Sequence, residues 1–252
     1  MRKILVTNDD GVRSEGIEAL AVALETLGEV TVVAPHHESS AIGHALTLAR
    51  PLRLEQLGPR VYMVDGTPTD CVNIAVAHLF DRKPDLVVSG INKGWNLGDD
   101  VTYSGTVAGA LEGILLGIPS IAVSLQRTDR FDFSHAASAA THLARQVLAH
   151  GLPPRTLLNV NLATGTPRGW RLTVQADRTH VTEVLRGDDP RGRPYYWIDE
   201  GLSEWVPHGQ SDYEAVREGY ISVTPLQPNL TAHDAMRYVA TLLPGDGADQ
   251  AR

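Results

Sequence analysis

Residues Leu5 to Val12 read LVTNDDGV, and two carboxylates, Asp9 and Asp10, sit side by side where an apolar run stops and a glycine follows. Asp-Gly pairs are common in plain turns. In a continuing strand, neighbouring side chains point to opposite faces. Here the strand ends at Asn8, so the backbone can turn and bring both carboxylates to one point. Holding them there requires a cation or a proton. A hard divalent ion with oxygen ligands meets that need.

More oxygen donors occur in two later stretches. ESSAIGHALTL (Glu38 to Leu48) offers Ser39 and Ser40, with His44 as the histidine placed near the same site. SGINKGWNLGDDVTYSGTVAGA (Ser89 to Ala110) offers Asn92, Asn96, Asp99 and Asp100 among glycines, then opens a helix at Gly105 between Ser104 and Thr106. Backbone N–H groups at a helix start, with hydroxyls beside them, suit a phosphate. Neither GxxxxGK[ST] nor GxGxxG fits this stretch. GTPTDC (Gly66 to Cys71) is a helix entry, with a threonine N-cap and an acid in the first turn. Cys71 falls inside an apolar helix as a core residue. CxxC, HxxxH and HExxH are absent and the histidines are scattered, which disfavours zinc. GxSxG is absent too, which disfavours a serine hydrolase.

These residues need a scaffold, and the hydrophobic pattern supplies one. KILVT (3–7), EVTVVAP (29–35), DLVVSG (85–90), SIAVSL (120–125) and TLLNVNL (156–162) are short apolar runs that read as strands. Between them, 16–28, 69–80, 105–117 and 134–151 show helical spacing, and a hairpin is expected around Leu52 and Val61. Such alternation means βαβ units in a mostly parallel sheet. In these sheets ligands bind beyond the carboxyl ends of the strands. Asp9–Asp10, the loop after Pro35, Gly90–Asn92 and the residues after Leu125 all follow strand ends, so the polar stretches gather on one edge.

The pattern changes from about Arg171. RPYYWIDEG (193–201) is aromatic, a short helix and strand occupy 212–226, a terminal helix is expected over 231–243, and the end from Pro244 reads as frayed. Tyr195, Tyr196, Trp197 and Trp205 are more aromatic surface than a hairpin covers, so they are expected to pack on another subunit.

Composition narrows the function classes. The chain has 252 residues, 42% of them apolar, which supports a full core. Its formal charge of −8 argues against a nucleic-acid binder, while leaving room for small phosphorylated ligands. With one cysteine no intrachain disulfide forms, and a reducing, cytoplasmic setting fits. No run reads as a signal peptide or membrane span.

Taken together, LVTNDDGV, SSAIGHALTL, GTPTDCV, SGINKGWNLGDDVTYSGTVAGALEG, IAVSL, NVNLA and EGYISVTPLQPNLTAHDAM resemble, in order, the motifs of the SurE family of survival-protein nucleotidases. The resemblance runs from residue 1 to about 240. It implies a Rossmann-like, three-layer, mostly parallel α/β fold with a C-terminal β-hairpin and helix extension. It implies one domain over 1–252, with the active site in 1–170 and an oligomerisation extension in 171–252. The implied activity is divalent-metal-dependent hydrolysis of nucleoside 5′- and 3′-monophosphates, and of short-chain polyphosphate, by a homodimer or homotetramer. One Mg2+ or Mn2+ per subunit would be held by Asp9, Asp10, Ser40 and Asn92. Counting back from His44 and Leu46-Thr47 selects Ser40, with Ser39 adjacent. Asn96, Ser104, Gly105 and Thr106 match the phosphate-side loop, with His44 near the site. Asp9 and Asp10 would be the catalytic pair, Asp9 the favoured proton acceptor. Many members read Asp-Arg-Asn-Arg-Ser-Gly where this chain has His36-His37-Glu38-Ser39-Ser40-Ala41, so the loop arginines are missing here. A phosphatase with an aspartyl-phosphate intermediate would want Asp-x-Asp, and here the acids are adjacent. The alternative on this fold is a non-catalytic nucleotide or phosphate sensor.

Overall fold

A computed structural model describes residues 1–179, 182–200, 204–206 and 209–244. In chain order the elements are β1 (Lys3–Thr7), α1 (Glu15–Leu24), β2 (Glu29–Pro35), β3 (Leu54–Gly58), β4 (Val61–Val64), α2 (Pro68–His78), β5 (Leu86–Lys93), α3 (Gly105–Leu115), β6 (Ser120–Leu125), α4 (Ser134–His150) and β7 (Leu157–Leu162). Then follow β8 (Trp170–Leu172), β9 (Asp177–Thr179), β10 (Thr182–Asp188), β11 (Pro194–Glu200), β12 (Glu204–Val206), α5 (Asp212–Arg217), β13 (Ile221–Leu226) and α6 (Met236–Ala240).

One nine-stranded sheet organises the chain, in the order β3-β4-β2-β1-β5-β6-β7-β13-β8. Strands β4, β2, β1, β5, β6 and β7 run parallel, while β3 and β13 each run antiparallel to a neighbour. The alternation of side chains along each strand builds two apolar faces. Ile4 and Val6 of β1 pack with Ile17, Leu20 and Leu24 of α1 and with the alanines of α4. Leu5 points the other way, to Val33, Val87, Cys71 and Val72. The fold is thus three-layered, with α1 and α4 on one face and α2 and α3 on the other. Strand order reverses at β1, which pairs with β2 on one side and β5 on the other. A crevice at the carboxyl ends of β1 and β5 is the expected ligand position.

The nine-stranded sheet continues past residue 170, because β8 and β13 belong to it. Residues 170–172 and 221–226 are therefore part of the core, and the separate excursion is the stretch between them. Its β10–β11 hairpin leaves Trp197 67% and Ile198 79% exposed, so its own chain does not cover this arm. Trp205 behaves differently from the expectation of an inter-subunit contact. Its ring stacks on Tyr213 at 4.2 Å and 8°, within its own chain. The expected helix over 231–243 shrinks to a 3-10 turn (His233–Ala235) and the single turn α6, with no buried residue. A short helix that buries no face is marginal. The end beyond Pro244 lies outside the described residues. Among those described, no helix is long and apolar enough to cross a membrane.

Candidate active site

The turn after β1 is closed by Asn8, whose Nδ2 donates to Gly11 O at 3.0 Å. It is stitched to the loop after β2, where Ser39 N–H donates to Asp9 O at 2.8 Å and Val12 N–H donates to Pro35 O at 2.9 Å. Both aspartates thereby reach a cleft of about 370 Å³. Ser40, Asn92, Lys93, Asn96, Asp100, Tyr103, Ser104 and Arg127 line it as well.

Asp9 is 5% exposed, and its Oδ1 accepts a hydrogen bond from the buried Thr106 hydroxyl. Thr106 lies on α3, whose first turn packs directly on Asp9. A Cβ at Gly105 would stand 2.7 Å from Asp9 Cβ, so only glycine permits this approach. Ser104 N-caps α3 by accepting from Val107 N–H at 3.0 Å. Gly105 and the Thr106 hydroxyl therefore back Asp9 at the start of α3, and Ser104 beside them lines the cleft.

Burial pushes the Asp9 carboxyl up, against the pull of the Thr106 hydroxyl. Burial and then the charge of Asp9 push Asp10 up to about 6, although Lys93 N–H donates to Asp10 Oδ2 at 3.2 Å. Neither carboxylate forms a salt bridge with a described residue; the Lys93 ammonium is drawn to Glu15 at 2.8 Å. Two crowded carboxylates with no salt bridge among the described residues, and only the Lys93 charge acting on Asp10 from a distance, are a fit for a metal ion.

The other donors agree with that. Between the pairs Ser89–Ala122 and Asn92–Ser124, two residues of β5 (Gly90 and Ile91) oppose one of β6 (Val123), and this bulge sets Asn92 at the cleft. Asn92 Nδ2 donates to Gly94 O at 3.0 Å, which leaves Oδ1 as its acceptor. Ser40 donates its hydroxyl proton to Glu38 Oε1 at 2.7 Å, which leaves lone pairs on Oγ for a cation. Ser39 does not line the cleft, so of the two serines Ser40 is the one in position. The described residues hold no cluster of three His, Cys, Asp or Glu suited to a metal. Two carboxylates with neutral oxygens suit magnesium or manganese.

His44 is placed otherwise than expected. Positive φ at Ala41 (55°) and Gly43 (60°) turns the loop, so Ser40 faces the cleft and His44 faces α3. There His44 Nε2 lies 2.7 Å from Glu112 Oε2, and Asn73 Nδ2 donates to Glu112 Oε1 at 2.9 Å. Burial pushes Glu112 up, and these two bonds outweigh it to hold the carboxyl below its usual range. Thr47 N–H donates to Asp70 Oδ1 at 3.0 Å, a second tie on the same loop. His44 is thus an anchor of the Ser40 loop, outside the cleft lining.

Several residues escaped sequence reasoning. Asn96 is held by Asn159 and Asn161, whose Nδ2 atoms donate to Asn96 O at 2.8 and 3.0 Å. Asn96 N–H donates to Asn161 Oδ1 at 2.9 Å and its Nδ2 donates to Ser124 Oγ at 2.8 Å. The signal was there in NVNL: two asparagines two apart share a face in an otherwise apolar strand. Lys93, Tyr103 and Arg127 lack such a signal, since only the fold brings them to one cleft.

Comparison with known proteins agrees with this architecture. The family model described as "Survival protein SurE" matches residues 4–182. A 5′-nucleotidase SurE of Pelobacter propionicus is 52% identical over 242 residues, 94% of this chain and 98% of that protein. A 5′-nucleotidase SurE of Syntrophotalea carbinolica is 54% identical, over 90% of this chain and 92% of that protein. The crystal structure of the SurE protein from Aquifex aeolicus superposes with a TM-score of 0.84 at 44% identity, covering 95% of this chain and 99% of that one. Matched through the cleft-forming core and along nearly the full length of its relatives, this chain belongs to the survival protein SurE family.

Proposed function

We propose that this protein is a divalent-metal-dependent 5′-nucleotidase, converting nucleoside 5′-monophosphates to nucleoside and phosphate. One observation carries the reading: the adjacent Asp9 and Asp10 share a cleft with Ser40, Asn92 and the start of α3, with no cationic side chain paired to either acid among the described residues. The curated relatives are named 5′-nucleotidases, which supports the phosphate-releasing part of this reading.

Asp9, Asp10, Ser40 and Asn92 would hold the ion. When bound it would polarise the phosphoryl oxygens and lower the pKa of water. Thr106 fixes Asp9 through Oδ1, and Asp9 would take the proton of the attacking water. Asn96, Ser104 and the backbone N–H groups opening α3 meet the charge that develops on the phosphoryl group. Arg127, at the cleft rim, stands in for the arginines missing from the loop after β2. We extend the reading to 3′-monophosphates and short-chain polyphosphate as further substrates. We also take the protein to act in the cytoplasm as a homodimer or homotetramer, its exposed β10–β11 arm supporting the assembly.

The test is phosphate release from a panel of nucleoside monophosphates with EDTA, Mg2+ or Mn2+. Release with metal and none with EDTA is expected. Metal-independent nucleotide binding without release would make the protein a sensor instead.

A further inference from the structure

Asp212 is fully buried, although it lies far along the chain from the strands that build the cleft. It opens α5, yet that helix is already capped by Ser211 and Glu214 in a reciprocal capping box. The Asp212 carboxylate is therefore free for other work. Its Oδ2 accepts from Gly98 N–H at 3.0 Å, and its Oδ1 accepts from Ala176 N–H at 3.0 Å and Tyr213 N–H at 2.8 Å. Burial pushes the carboxyl up, against the pull of these N–H groups.

Gly98 is a sensitive point to hold. It opens the 3-10 turn Gly98–Thr102, after Asn96 and before Asp100, Tyr103 and Ser104, all of which line the cleft. Its carbonyl is gripped as well, since Gln175 Nε2 donates to Gly98 O at 3.0 Å. Its φ is +50°, and a Cβ there would stand 2.4 Å from Ala176 O. The Asn96 end of the loop is held separately by β6 and β7, through Ser124, Asn159 and Asn161. At Gly98 the turn is held from the other side, by Asp212 on its N–H and Gln175 on its carbonyl. A buried carboxylate is costly to keep, and its bonds here reach two segments that the helix cap does not involve.

We infer that Asp212 is a positioning residue of the active site: it fixes the start of the Gly98–Thr102 turn, and so places Asp100, Tyr103 and Ser104 against the cleft. The inference rests on the nucleotidase reading. It makes the chain beyond residue 170 part of the catalytic apparatus.

The test is Asp212→Asn in the full chain, since asparagine offers one acceptor oxygen where the carboxylate offers two. The kcat for AMP with Mg2+ should fall at least about tenfold, because a shift of about 1 Å in a positioned group costs on the order of 10². Mn2+ affinity should stay unchanged, because Asp9, Asp10, Ser40 and Asn92 sit on other segments. Amide exchange over 94–104 should become faster. Asp85→Asn is the control: it removes the ties to Arg2 and Arg82 ahead of β5, at the opposite sheet edge, and should leave kcat unchanged. Should Asp212→Asn fail to fold, Gln175→Ala removes the other grip on Gly98 and should cost about fivefold in kcat, the worth of one hydrogen bond. Wild-type kcat and wild-type exchange in the folded variant overturn the inference. A wild-type protein that releases no phosphate from any nucleoside monophosphate of the panel would sink the nucleotidase reading instead, and amide exchange would still decide whether Asp212 pins the loop.

Discussion

Thr106 donates its hydroxyl proton to Asp9 Oδ1 across 97 residues of chain, joining the end of β1 to the first turn of α3. Both residues are buried, and the bond turns one oxygen of the aspartate pair away from the cleft. Replacing Thr106 with Val keeps the shape and deletes the donor. The Asp9 oxygen then lacks a partner, which should cost about 1–3 kcal/mol of stability and on the order of tenfold in kcat. Thr106→Ser should restore most of both, as measured by thermal unfolding and phosphate release.

Asp9→Asn and Asp10→Asn should each fold with native circular dichroism and lose metal-dependent phosphate release. The expected loss is about 10² or more, the scale of several kcal/mol of charge stabilisation. Wild-type rates in either variant with Mg2+ present would remove that aspartate from the site.

Gly105→Ala tests the close packing of α3 on the pair. The new methyl would stand 2.7 Å from Asp9 Cβ, so the helix start or Asp9 must move. Overpacking of this kind costs about 1–3 kcal/mol. Activity should fall by more than the stability change explains, measured on fully folded protein at low temperature.

The pair also sets a pH dependence. Asp10 is raised to about 6 from an ordinary 3.8, first by burial and then by Asp9. The fold thus favours its protonated form. That contribution is complete below pH 3.8 and is lost as pH rises through about 6. Metal-free protein should lose melting temperature across this window. Added Mn2+ should stabilise little at pH 5 and strongly at pH 7.5, by about 2.7 kcal/mol at a hundredfold excess over Kd. An identical metal-induced shift at both pH values would contradict this.

Asp85 has the opposite sign. Burial pushes it up, but the Arg82 guanidinium, Lys3 N–H and Arg2 hold it at about 2. Its stabilisation is present above pH 3.8 and disappears as pH falls toward 2. Asp85→Asn should therefore flatten the acid limb of the unfolding curve without touching the limb near pH 6.

Local patterns were enough for the sheet-forming half of this protein. The strand runs at 3–7, 29–35 and 120–125 match the observed strands to the residue, because each is a short apolar stretch bounded by turn residues. The adjacency of Asp9 and Asp10 and the oxygen-rich, glycine-rich stretch before α3 are also properties of neighbouring residues. Sequence alone was therefore sufficient to point to one sheet edge and to an oxygen-donor chemistry there. It did not reach contacts between distant segments. That Ser40 faces the cleft while His44 turns to Glu112 depends on two left-handed residues in one loop. That Thr106 serves Asp9, that Asn159 and Asn161 hold Asn96, and that Asp212 holds Gly98 depend on which side chains meet when β1, α3, β7 and α5 pack together. Tertiary packing decides these pairings because each buried polar group must find a partner within hydrogen-bond reach, and chain order says little about who that partner is.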